Sequence, residues 1–180
     1  MIDRTASPVR VELCPFGPDD FDRLVSWLPT EADLVGWCAG FFRYPLSRSQ
    51  LEGYLETSKL PNARVIFTAR TIDHEPVGHI EVSQIWPHLS SRLSRVLVAP
   101  NQRRQGIGSN MIQAALSFSF GQHCVDRIDL GVSATNFAAI SCYTKLGFVQ
   151  VGKWPNAKLG SQTTDVVWLT MTRDHWAQRP

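Results

Sequence analysis

The stretch "RVLVAPNQRRQGIGSNMI", Arg95 to Ile112, decides how the rest of the chain is read. It begins as an apolar strand, breaks at Pro100, and passes through two arginines and two glycines into the amphipathic run "MIQAALSFSF". A helix N-terminus carries backbone N–H groups without intrahelical partners, together with the positive end of the helix dipole. Glycine lets a ligand approach that backbone because no Cβ intervenes. Gly106 and Gly108, placed after a strand and ahead of a helix, therefore suit a phosphate or pyrophosphate, and Arg103 and Arg104 add charge beside it. A Walker loop is excluded because no lysine follows these glycines. A Rossmann fingerprint is excluded because position 111, where a third small residue belongs, is Met. On these residues alone, a plain loop whose glycines serve only a turn is the alternative.

Three β-rich runs lead into this stretch: "ARVIFTAR" (63–70), "VGHIEVSQIW" (77–86) and "LSRVLVAP" (93–100). Beyond the helix come a strand "RIDLGV" (127–132), a helix "NFAAISCYTKLG" (136–147) stopped by Gly147, and strands "FVQVGKW" (148–154) and "TDVVWLTM" (164–171). A helix joining the strands on either side of the glycine motif makes a parallel pair the default. Toward the N-terminus the pattern gives a strand "VRVEL" (9–13) and a helix "PDDFDRLVSWL" (18–28) opened by proline and two aspartates. An irregular aromatic stretch "EADLVGWCAGFFRYP" (31–45) follows, then a helix "SRSQLEGYLETS" (47–58) with Ser47 or Ser49 as cap. The expectation is a mixed α/β fold with an antiparallel front half. It forms a single domain over 1–180, its core spanning roughly 9–173.

A net charge of +2 is too near neutral for a general nucleic-acid binder, so any anion site must be local. Cys14, Cys38, Cys124 and Cys142 form no C-x-x-C pair, which argues against a zinc or redox motif and for no metal. The N-terminus lacks an apolar signal region, and no stretch approaches the ~20 apolar residues of a membrane span. The expected location is cytoplasmic, as a monomer or homodimer.

The stretch around Gly106 resembles the acetyl-CoA binding motif of the GCN5-related N-acetyltransferase (GNAT) superfamily, [QR]-x-x-G-x-[GA] after a strand ending in V-x-P. Arg103, Gly106 and Gly108 fill its three defined places. "IDLGVSATNFAAISCYTKLGF" looks like the family's second signature, with Asn136, Ala139, Tyr143 and the closing Leu146-Gly147-Phe148. The resemblance covers roughly residues 63 to 171. It implies a mostly antiparallel central sheet with a splayed parallel strand pair, flanked by helices, and acetyl-CoA as cosubstrate. By this resemblance the backbone of Leu97 and Val98 pairs with the pantetheine arm. Arg103 lies beside the pyrophosphate, which the amides of Arg104, Gln105, Gly106, Ile107, Gly108 and Ser109 receive. Asn136, an N-cap in any fold, also meets the cofactor. Tyr143 donates a proton to the departing thiolate, which a phenol is chemically able to do; a bare aromatic there would otherwise be core.

Amine acetylation needs a neutral nucleophile, and an alkylammonium of pKa ~10.4 must first lose its proton. Members of the family place a glutamate where this sequence has Gly131, or in the strand before the cradle, where it has Arg92, Ser94 and Arg95. The remaining candidates are Glu81, with His79 on the same strand face, then His88, with a water chain also open. Trp27, Trp37, Phe41, Phe42 and Tyr44, with Glu31 and Asp33, either bind a cationic amine acceptor or form a hydrophobic cap over the sheet. Cys142 points about 100° away from Tyr143 and has no evident histidine partner, which favours direct attack in a ternary complex over a covalent relay. The acceptor is expected to be a small-molecule or peptide amine, with no nucleic-acid or membrane partner. The competing classes are a non-catalytic acyl-CoA-binding or sensory domain, for which the missing carboxylates speak, and a nucleotide-phosphate module.

Overall fold

The computed structural model describes residues 10–61, 63–86, 89–122, 124–160 and 162–179. Their order is β1 (Val11–Pro15), α1 (Phe21–Ser26), α2 (Glu31–Cys38), α3 (Arg48–Ser58), β2 (Arg64–Thr71), β3 (Pro76–Trp86), β4 (Ser90–Val98), α4 (Ile107–Gln122), β5 (Arg127–Ser133), α5 (Phe137–Lys145), β6 (Val149–Leu159), β7 (Gln162–Thr172) and α6 (Arg173–Ala177). The strands form one sheet in the order β1-β2-β3-β4-β5-β7-β6. Every neighbouring pair is antiparallel except β4 and β5. That is the mixed, mostly antiparallel sheet with one parallel pair expected from the sequence.

The sheet has two differently covered faces. Alternate residues Ile80 and Val82 of β3, Leu93 of β4 and Ile128, Leu130 and Val132 of β5 meet Ile107, Met111, Ala115 and Leu116 of α4 in one core. Tyr143 and Leu146, at α5, join them. On the other face, α1, α2 and α3 build a second core from Phe21, Leu24, Leu34, Trp37, Leu51 and Tyr54, which seals Ile66 and Leu97 of the sheet.

The parallel pairing is short. Only Ser90, Ser91 and Arg92 of β4 are in register with Arg127, Ile128 and Asp129 of β5. Beyond that point β5 stays paired with β7 as far as Ser133, and β4 with β3 as far as Val98. The facing edges of β4 and β5 therefore part. A bulge in β4 accompanies the parting: His79 pairs with Leu97 but Glu81 with Ser94, which leaves two β4 residues opposite Ile80. One of them, Arg95, takes the left-handed backbone at φ 49°.

Three elements depart from the sequence reading. Residues 31–38 form a helix within the stretch expected to be irregular. The Thr30 hydroxyl caps it by accepting from the Asp33 amide at 3.1 Å, and Glu31 and Asp33 sit in its first turn. The β6–β7 hairpin runs to Leu159 and Gln162, longer than expected; edge strand β6 accommodates Pro155 where its register slips between Trp154 and Ala157. A short C-terminal helix, α6, capped by Thr172, was not anticipated. Among the described residues, no helix is long and apolar enough to cross a membrane.

Candidate functional site

The glycine motif opens α4. Before it, Arg104 and Gly106 adopt positive φ, 65° and 81°. Left-handed residues on either side of Gln105 curve the chain into a concave run of N–H groups that suits an anion. Helix geometry leaves the amides of Ile107, Gly108 and Ser109 without intrahelical acceptors. A Cβ on Gly106 would meet nothing within 4 Å, and one on Gly108 would meet only Val98 Cγ2 at 3.5 Å, so the space before these amides is open. Arg104 and Gln105 are exposed at the rim, and Arg103 donates from Nε to the Val98 carbonyl at 3.3 Å. The residues present fit a CoA diphosphate, and the edge of β4 at Leu97 and Val98, which β5 leaves unpaired, fits an amide-bearing arm.

Asn136 begins α5 at the matching end of β5, so it and the cradle flank the parting of the strands at their carboxyl ends. Its Oδ1 accepts from the Ala139 amide at 3.1 Å, the N-cap bond. The helix stops with Gly147 at φ 89°, and Phe148 N donates to the Tyr143 carbonyl at 3.0 Å. Tyr143 is 7% exposed and packs edge-on against Phe148. Burial first, then neighbouring Cys142, pushes its phenol well above the ordinary value near 10, so it stands as a protonated donor. Cys142 Sγ lies 3.3 Å from Ser109 Oγ, which ties this turn of α5 to the mouth of the cradle.

The proposed base lies elsewhere. Glu81 is 0% exposed, on the face covered by α1–α3, and is not a solvated strand residue. Arg95 grips both its oxygens, Nη2 on Oε1 at 2.5 Å and Nε on Oε2 at 2.7 Å. The Tyr54 hydroxyl also donates to Oε2, and Arg64 Nη1 lies at 3.5 Å. Such a carboxylate has no free side to offer an ammonium. His79, 1% exposed, stands edge-on to Phe16 and Trp37 with its Nδ1 unpartnered. Burial, helped by the charge of Arg95, lowers its pKa from 6.5 to about 3. His88 lies outside the described residues. At Gly131, a Cβ would meet Val166 Cγ1 at 3.2 Å and the Trp168 ring at 3.4 Å, so Trp168 fills the space a side chain would use.

The aromatic stretch divides between the two readings given it. Trp37 and Phe42 stack at 5.5 Å inside the cap, and Trp37 Nε1 donates to the Arg95 carbonyl at 2.8 Å. Phe41 is 48% exposed, but its ring already faces Arg95 at 4.3 Å and Arg64 at 5.2 Å. The protein's own guanidiniums thus occupy the place expected for a cationic acceptor, and Asp33 is engaged by Thr30. The sequence reading missed Tyr54, Arg64 and Trp168. For Trp168 a signal existed: Gly131 inside a strand marks a close approach by something else. Among the described residues no group of His, Cys, Asp and Glu could hold a metal.

A family model described as the acetyltransferase (GNAT) family matches residues 33–148. The aminoglycoside N(6')-acetyltransferases type 1 of Klebsiella pneumoniae and Serratia marcescens are each 26% identical over 147 residues, 74% of this chain and 71% of theirs. Among solved structures, spermidine N-acetyltransferase from Vibrio cholerae in complex with CoA and spermine superposes with a TM-score of 0.82 at 20% identity, covering 94% of this chain and 99% of that one. A dodecameric form of the same enzyme superposes with a TM-score of 0.76 at 20% identity, covering 94% and 98%.

Proposed function

Since this chain belongs to the acetyltransferase (GNAT) family and is an acetyl-CoA-dependent N-acetyltransferase, we propose that it acetylates the primary amine of a small molecule by direct attack in a ternary complex. The observation that carries the site assignment is the parting of β4 and β5 beyond Arg92 and Asp129, with a glycine-opened helix at one lip and a buried phenol beside it. When bound, acetyl-CoA supplies the thioester carbonyl and a thiolate leaving group.

The chain's own residues divide the remaining work. The amides from Arg104 to Ser109, with the side chain of Arg103, hold the diphosphate, and the edge of β4 at Leu97 and Val98 aligns the arm. Asn136 borders the opening with its amide nitrogen, since its oxygen is committed to the cap. Tyr143 holds a proton for the departing thiolate. Glu81 acts as a positioning residue: with Tyr54 it fixes Arg95, whose carbonyl Trp37 also holds, and so maintains the bulge beside the opening. With Glu81 engaged and His79 sealed, the proton of the attacking ammonium passes to water. The amines named for the relatives support a small-molecule amine as acceptor, and the family match supports turnover over a purely binding role.

The test is a thermal-shift comparison of acetyl-CoA, CoA and ATP followed by thiol detection over an amine panel. Ligand at 100 times its Kd adds ~2.7 kcal/mol of stability. Equal stabilisation by ATP, or stabilisation by acetyl-CoA with no thiol released by any amine, would refute the proposal.

A further inference from the structure

We infer that Arg92, lying against Trp168 where β4 and β5 begin to part, is a docking point for a carboxylate, so that the acceptor is an amine bearing an acid group rather than a bare polycation. This inference deepens the acetyltransferase reading and rests on it. Arg92 is the last β4 residue in register with β5, so it stands where the strands begin to part. It shares a sheet face with Ser94, Gly131 and Trp168, the part of the sheet that α1–α3 leave open. Its Cζ lies 4.9 Å from the Trp168 ring centroid, which fixes the plane of the guanidinium.

Among the described residues its donors are uncommitted. Arg92 Nε is buried without a hydrogen-bond partner, and among the described residues the side chain enters no ion pair. The carboxylate in register with it, Asp129, is bridged to Arg127 at 2.9 Å. Glu81, on the same face, is shared by Arg64 and Arg95. On this face Glu81 and Asp129 are thus both engaged by other arginines, and Arg92 is left without a carboxylate. A spermidine-like cation arriving here meets repulsion, whereas a carboxylate meets a pre-oriented planar fork whose geometry it matches with two parallel hydrogen bonds. Buried polar donors that stay unpaired are rare, and a ligand that completes one gains what the fold forgoes.

The experiment uses the purified chain with acetyl-CoA and measures thiol release with each free amino acid beside its C-terminal amide, and with spermidine and kanamycin. At least one acid is expected to be used with kcat/KM about 10- to 100-fold above its amide, the worth of a charge-assisted pair. Arg92→Gln should bring that ratio close to one through KM, while the thermal shift with acetyl-CoA stays at the parent value. Arg92→Lys should restore part of the preference, since the charge remains and the fork does not. If Arg92→Gln fails to fold, the ratios of the parent and of Arg92→Lys decide. Equal use of acids and amides, or a preference unaltered in the folded variants, overturns the inference. Turnover of spermidine or kanamycin alone overturns it and leaves the acetyltransferase reading standing; no thiol from any amine overturns both.

Discussion

Replacing His79 with phenylalanine tests whether the interior around Glu81 is as dry as the geometry says. The imidazole is 1% exposed, its ring lies 4.8 Å from Phe16 and 5.3 Å from Trp37, and its pKa is lowered from 6.5 to about 3 by burial and then by Arg95. In the unfolded chain the same group titrates near ~6.5. The folded pKa lies below the unfolded one, so the contribution of the neutral ring is complete above pH 6.5 and is lost as pH falls from 6.5 toward 3. Each pH unit inside that window costs ~1.4 kcal/mol, so descending from pH 6.5 to 4.5 costs ~2.7 kcal/mol. For a chain of this size ~1 kcal/mol moves Tm by ~2–4 °C, which makes the extra fall ~5–11 °C. Calorimetry at pH 6.5, 5.5 and 4.5 on the parent and His79→Phe reads it as a difference, in which the carboxylates common to both cancel. Phe keeps a ring between Phe16 and Trp37, so the variant should remain folded. Parallel loss of stability in the two proteins would show that His79 takes up its proton in the folded state and is available as a base.

Tyr143→Phe should keep stability and acetyl-CoA affinity near the parent while the single-turnover rate falls about 10²–10⁴-fold, because only the donor is deleted; a parent-like rate ends the general-acid assignment. Glu81→Gln should cost ~3–5 kcal/mol, since two buried guanidiniums lose their carboxylate, with the pH–rate profile keeping its shape. An upward shift of the pH optimum at unchanged stability would instead make Glu81 the base. Gly108→Val should fold, because a Cβ there meets only Val98 at 3.5 Å, yet lose the stabilisation by acetyl-CoA; parent affinity would refute the cradle. Gly106 is a poorer test of ligand space, because at φ 81° any side chain adds backbone strain.

What the sequence disclosed and what it hid follow from the range of the interactions involved. The cradle motif is local: a strand, a proline, two glycines and a helix specify it within a dozen or so residues, and the structure has a left-handed turn and a helix start there. The stop of α5 at Gly147 is local in the same way. The state of Glu81 is not. Its partners Tyr54, Arg64 and Arg95 come from α3, β2 and β4, and no periodicity announces that a strand glutamate will face two arginines. The helix over 31–38 was obscured because Gly36 and Trp37 are indifferent helix formers. What makes it is the cap at Thr30 and burial of Leu34, Val35, Trp37 and Cys38 against the rest of the domain.

The same long-range cluster connects the engagement of Glu81 to the presence of the opening. Arg95 sits at φ 49°, a conformation that costs an L-residue roughly 1–2 kcal/mol. The charge-assisted fork on Glu81, the Trp37 bond to the Arg95 carbonyl and the stacking on Phe41 together offset that cost. They hold the extra β4 residue that turns the strand just past its last pairing with β5 at Arg92. Freeing Glu81 to act as a base would release the guanidinium that stabilises the bulge, and with it the geometry that parts the strands. A carboxylate at this position can brace the opening or take a proton within it. We propose the first role for Glu81, since Arg95 binds both its oxygens.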